Sequence, residues 1–318
     1  MVERMQKKLI KYITLLFLTA MTISMLLFPD RSAALALDGL NLWFLKMIPA
    51  LLPFMILSGL LIRLELSDSI ASFFAPVLRP VFRLSDSCLY CVLVGFLCGF
   101  PMGAKVCAQS LSAGKLTKKE ASLLLAFTNN IGPVYFSGYM LGLFPVQNPA
   151  AVWLGMYALP FVYGIVLRYT LYRSIPLESG KKLLYSSLKT PSSAPLTPSR
   201  LLFSLHESIL SGLSSITALG GYMIFCSLLN LLPMLLFRSY PTLTALMSPL
   251  FEITSGLAKL PQSARIWAYI VLPFGGLSCI AQTYSCIQGT GLSMKEYVFH
   301  KAVLTALTAM WYQAVPLL

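Results

Sequence analysis

In the stretch GFPMGAK, residues 99–105, a lysine follows two glycines and a proline inside an otherwise apolar run. A lysine in a transmembrane region costs roughly 2.5 to 3.5 kcal/mol on insertion scales unless it pairs or snorkels. The chemistry expected of Gly99, Pro101, Gly103 and Lys105 is therefore capture of an anion by free backbone N–H groups and an ammonium in a polar cavity. Glycine permits close approach, and proline can sit at a turn without leaving a donor unsatisfied. Snorkelling of Lys105 to the interface is the competing reading. Asn129 and Asn130, followed by Gly132 and Pro133, either hold a solute or coupling ion through their amides or cap a break in the helix. Glu252 in FEITSG reads as an ion- or proton-coupling acid or as an interfacial carboxylate in water. Ser278 and Gln282, at and just after PFGGLS, offer a hydroxyl and an amide to a ring nitrogen or carboxylate. For any single glycine or proline, helix packing and kinking is the commoner use.

Catalysis and metal binding are not expected. No nucleophile–base arrangement or phosphate loop is visible, and His206 and His300 are isolated and read as structural. The seven cysteines, Cys88, Cys91, Cys98, Cys107, Cys226, Cys279 and Cys286, are odd in number and lie in or beside apolar segments. That argues against a disulfide framework. Cys88 and Cys91 have CxxC spacing, but no second pair or nearby histidine completes a metal site, so they read as small packed hydrophobes. Neither a cofactor nor an enzymatic activity is expected.

Only a membrane gives such residues an apolar frame to interrupt. Of 318 residues 57% are hydrophobic and 11% charged, against about 25% charged in soluble domains. The net charge of +13 sits beside apolar spans rather than on an aromatic-rich polar face, which speaks against a nucleic-acid partner.

Along the chain, a basic N-terminus precedes an apolar stretch at 13–28, an anchor or signal-like segment with the basic end in the cytoplasm. A second span covers 40–64, with two prolines that predict a kink, and 69–84 is too short to cross and reads as interfacial. Residues 88–113 form two short arms about GFPMG, a re-entrant hairpin. Residues 121–144 are long enough to cross but interrupted by the Asn-Asn-Ile-Gly-Pro run, a helix unwound within the membrane. A span at 150–172 leads into a polar, proline-rich cytoplasmic linker at 174–200. The second half repeats the pattern: a span at 205–237, a short interfacial or hairpin segment at 242–260, two short arms about PFGGLS at 266–289, and a final span at 297–318. The organisation expected is an anchor at 1–32, a first repeat at 33–145, a connecting helix at 146–173, the linker at 174–200 and a second repeat at 201–318.

Shifting the chain by 176 positions places Gly99 on Gly275 and Leu116, Thr117, Lys119 and Glu120 on Leu292, Ser293, Lys295 and Glu296. The matches read either as a repeat or as two capping boxes. Each unit crosses an even number of times and one extra span joins them, so the second is inverted, and the basic residues agree with that orientation. The fold class is an all-α polytopic membrane protein, an inverted repeat with two re-entrant hairpins and broken helices, the architecture of secondary transporters.

GFPMGAK, AFTNNIGPVYFSG, ALGGYMIF, FEITSG and FGGLSCIAQTYS resemble the signature segments of the sporulation integral membrane protein YlbJ (SpoVV) family, which carries nucleoside-recognition "Gate" domains, over about residue 40 to the C-terminus. The resemblance implies similarity to concentrative nucleoside transporters, a place in the mother-cell-derived outer forespore membrane, and movement of dipicolinic acid from mother cell toward forespore. The partners it implies are dipicolinate and the bilayer, with a homo-oligomer or other sporulation membrane proteins beside them. A nucleoside or other solute carrier, and a non-transporting assembly protein, are the alternatives.

Overall fold

The apolar runs become helices, and prolines and glycines decide where those helices bend or stop. The computed structural model describes residues 2–176 and 196–315, and every regular element among them is a helix. Helix α1 (Val2–Leu27) lies at the periphery, with Met21 its buried hydrophobic contact among the described side chains. Only Phe28 separates it from α2 (Pro29–Arg63), a 35-residue helix begun by a proline, which needs no N–H at that position. The expected kink takes the form of a π turn at Trp43–Met47, just ahead of Pro49. A widened turn relieves the clash of the proline ring with the carbonyl four residues back. The same device recurs at Leu154–Ala158 ahead of Pro160.

Helix α3 (Ser67–Phe82) turns Ser67, Ala71, Ala75 and Phe82 inward and leaves Ile70, Phe73 and Val77 exposed, as a helix lying at an interface does. A 98° bend leads into α4 (Asp86–Cys98). Beyond Gly99–Pro101 the chain forms α5 (Met102–Ser112). Cys91 Sγ lies 3.6 Å from Ser110 Oγ, and these two positions are symmetric about Phe100–Pro101, so the arms fold back on each other as the expected hairpin. Helix α6 (Lys118–Thr128) opens with a complete Thr117–Glu120 capping box, leaves the helical path at 129–132, and resumes as α7 over 133–143. Helix α8 (Pro149–Tyr169) follows. Most of the expected linker, residues 177–195, lies outside the described residues.

The second half contains α9 (Pro198–Leu236), α10 (Pro241–Phe251), α11 (Ile253–Ala258), α12 (Arg265–Val271), α13 (Gly276–Ile287) and α14 (Met294–Ala314). Here the structure corrects the sequence reading. The fold-back lies at Glu252, not at PFGGLS: a Cβ on Gly256 would sit 2.3 Å from Pro249 N. Seven residues of unbroken helix span about 10 Å, so α10 and α11 must be folded against each other. Residues 262–287 instead form one span-length path, unwound at 272–275, whose halves α12 and α13 do not pack side by side. The order hairpin then broken helix thus occurs twice, but the 176-residue shift had matched a hairpin tip to a helix break. The capping motif also differs between halves. Ser293 caps α14 through Glu296 N, whereas the Glu296 carboxylate accepts the Tyr172 hydroxyl instead of closing a box. Burial first, and that carboxylate second, push the Tyr172 hydroxyl pKa well above the ordinary phenol range.

Five helices among the described residues are long and apolar enough to cross a membrane, at 8–27, 29–63, 149–169, 198–236 and 262–287, and the bent α3–α4 pair would make a sixth. The 21-residue α14, expected as a span, is not among them. It carries Lys295, Glu296, His300 and Lys301, and the last two are buried.

Candidate solute-binding site

Three glycines on the first hairpin press its tip onto the first helix break. A Cβ at Gly95 would lie 2.6 Å from Thr128 O, at Gly99 2.2 Å from Gly132 N, and at Gly103 2.9 Å from Asn129 Cα. Such distances exclude any side chain, and Gly99 also has a φ of 78° that L-residues rarely adopt. The glycines of GFPMGAK therefore serve helix-to-backbone contact, with unwound chain on both sides of it. The second break joins the same region, because a Cβ added at Gly275 would lie 3.1 Å from Phe100 Cζ and one at Gly276 2.6 Å from Pro249 O. Tips and breaks from both halves thus converge.

Asn129 ties this convergence together. Its Oδ1 accepts from Ala104 N at 3.2 Å, in the first turn of α5, and its Nδ2 donates to Thr283 Oγ1 at 2.9 Å and Tyr297 Oη at 3.1 Å. Asn130 Nδ2 donates to Phe127 O at 2.5 Å, leaving Oδ1 to accept from Lys301 Nζ at 2.8 Å. Lys301 also donates to Asn129 O, and it is fully buried. Both asparagine amides are therefore committed to protein groups in this conformation.

Beside this network lies a cavity of about 440 Å³ between α2, α4, α7, α9, α11 and α13. That falls within the roughly 300 to 1,000 Å³ usual for small-ligand sites. Its wall includes Phe100, Tyr135, Tyr139, Gly132, Glu252 and Gln282, with Lys46 at the rim. Phe54, Leu97 and Val134 complete the outer side and are themselves exposed apolar residues. The Glu252 carboxylate accepts from Thr254 N at 3.2 Å and Ser255 N at 2.6 Å, capping α11, while Tyr139 Oη donates to Thr254 O at 3.0 Å. Two backbone donors at a helix N-terminus offset much of the carboxylate's negative field.

Of the residues singled out from sequence, Glu252 and Gln282 line the cavity. Gly99, Pro101, Gly103, Asn129 and Asn130 lie in the segments that bound it, and their neighbours Phe100, Ile131 and Gly132 form its wall. Ser278 is buried on α13 with its Oγ unpaired among the described groups, and it is not a lining residue. Lys105 is buried too, but its ammonium donates to Ser211 O at 3.2 Å and Ser215 Oγ at 2.8 Å on α9, so it links α5 to that helix instead of entering the cavity. Sequence reasoning passed over Lys301, Phe100, Tyr135, Tyr139, Thr283 and Tyr297. For Lys301 a signal existed, since a lysine well inside the apolar run that follows Tyr297 carries the same insertion cost that drew attention to Lys105.

The chain is 29% identical over 317 aligned residues to the sporulation integral membrane protein YlbJ of Bacillus subtilis (strain 168), an alignment covering 89% of this chain and 76% of that protein. No protein-family model matches the chain, and no solved structure does. The chain is thus similar, over most of its length, to an integral membrane protein of sporulation, in keeping with its five helices long and apolar enough to cross a membrane among the described residues.

Proposed function

We propose that this protein is a membrane solute carrier of sporulating cells that moves a small organic anion, with dipicolinate the specific candidate, from the mother cell toward the forespore. The observation that carries the proposal is the 440 Å³ cavity at the convergence of two hairpin tips and two helix breaks. Unwound backbone at membrane depth is tolerated where protein or a hydrated cavity satisfies it, and in transporters such breaks surround the substrate. The name of the B. subtilis relative supports the setting in sporulation. An inverted relation between the halves fits their shared order of hairpin then broken helix.

Charge favours an anion. Lys46 stands at the rim, the Lys301 ammonium lies 4.9 Å from the centroid of the Phe100 ring that forms part of the wall, and the carboxylate of Glu252 is engaged by backbone donors. In this reading Gln282 touches the solute and Glu252 is the proton- or ion-coupling group, while Lys105 holds α5 to α9. The rings of Phe100, Tyr135 and Tyr139 with the Gln282 amide favour a planar heteroaromatic solute, which keeps an uncharged nucleoside as a second reading. Equilibrium binding to the purified protein separates them. Saturable binding of labelled dipicolinate that excess uridine does not displace is expected; binding of uridine without dipicolinate would transfer the assignment to the second reading.

A further inference from the structure

We infer that the Lys301 ammonium is a tethered counter-cation: it occupies a monovalent-cation site at the unwound end of α6, so that the protein requires no alkali cation there. Helix α6 stops at Thr128, and Asn129, at φ −87° and ψ 78°, leaves the helical path. The C-terminal end of a half-helix carries partial negative charge, and unwound carbonyls at such ends are where transporters hold small cations. Here the oxygens are Asn129 O and Asn130 Oδ1, and what meets them is Lys301 Nζ.

The site is built around an ammonium. Asn130 Nδ2 is held by Phe127 O, which fixes the amide with its oxygen toward Lys301, and Asn129 Oδ1 is drawn to Ala104 N, which leaves the main-chain oxygen for the lysine. Two oxygens are too few for an alkali cation, whose hydration shell must be replaced by a ring of ligands. The remaining faces are aromatic: Nζ lies 4.9 Å from the Phe100 centroid and 5.6 Å from that of Tyr297, distances suited to cation–π attraction. No carboxylate lies within ion-pair distance of Lys301 among the described residues, so the charge is not half of a salt bridge. Full burial denies it water. A tethered ammonium at this point holds the first hairpin, the first break and α14 together without a dissociable ion.

Thermal unfolding of the full chain in detergent tests this, and since it reads stability without transport it stands apart from the carrier proposal. The wild type should show the same midpoint in sodium, potassium and choline chloride at equal ionic strength. Lys301→Ala should melt roughly 5 °C or more lower in choline and recover at least half of the loss in propylammonium chloride, which restores the missing stem and charge. Lys301→Met, whose apolar stem fills the space, should gain nothing from propylammonium. A wild-type midpoint raised by sodium over choline would overturn the inference, and this arm does not depend on either variant folding. Equal response of the Ala and Met variants to propylammonium would overturn it as well.

Discussion

Replacing Gly99 by alanine is expected to destabilise the protein by about 2 to 6 kcal/mol, enough to remove most of the folded population in detergent. Two costs add. The backbone at φ 78° and ψ −164° lies in a region that is essentially glycine's own, and a side chain held there costs about 1 to 3 kcal/mol. The added methyl would also meet Gly132 N at 2.2 Å, a backbone atom that cannot swing aside, and overpacking of that kind costs about 1 to 3 kcal/mol more. Gly142→Ala supplies the control, because nothing lies within 4 Å of its added Cβ. It sits in the short helical stretch Leu141–Leu143, where alanine is the better helix former, so its midpoint should hold or rise slightly. Parallel thermal scans read both. Similar midpoints for Gly99→Ala and Gly142→Ala would mean that the hairpin tip does not press on the break.

A second large loss is expected for Arg168→Met, about 3 kcal/mol or more. The buried guanidinium donates to five carbonyls: Phe82 O at 2.9 Å, Arg83 O at 3.4 Å, and Tyr172 O, Ile175 O and Pro176 O each at 3.2 Å. It thereby joins the end of α3, where Arg83 takes a left-handed φ of 48°, to the turn that ends α8. Hydrogen bonds to a charged group contribute about 1.5 to 3 kcal/mol, and each carbonyl left buried without a partner adds its own desolvation cost. Methionine keeps the apolar stem, so the loss reports the fork and not the packing. Arg168→Lys should recover little, because one ammonium cannot reach five diverging acceptors as a planar guanidinium does. Full recovery with lysine, measured by denaturant or thermal unfolding, would show that charge alone matters at this position.

Much of the fold was legible because lipid-facing sequence is so uniform that interruptions stand out. Gly99, Pro101, Asn129, Asn130 and Pro133 break apolar runs, and the structure places the first hairpin and the first broken helix at them. The second half was misplaced for a physical reason. Glycine and proline report that a helix unwinds, not whether the chain then turns back or continues, so PFGGLS and GFPMG look alike in sequence although one lies within a span-length path and the other at a fold-back. Glu252 read as a coupling acid or an interfacial carboxylate, because a lone acid in a short apolar segment gives no hint that its carboxylate will cap the next helix. The lysines show the limit of counting charges. Lys105 and Lys301 are alike as cations in apolar helices, yet one finds hydroxyl and carbonyl oxygens on α9 and the other lies behind a ring of the cavity wall, a distinction made by long-range packing.

The carrier reading is tested most directly by uptake of labelled dipicolinate into vesicles that contain this protein alone. Gly138 lines the cavity and has open space around an added Cβ, so Gly138→Trp should fill the cavity without straining the fold. The account predicts saturable dipicolinate accumulation in wild-type vesicles and its loss in Gly138→Trp vesicles whose protein melts at the wild-type temperature. Uptake no faster than in protein-free vesicles, or uptake undiminished by the tryptophan, would contradict it.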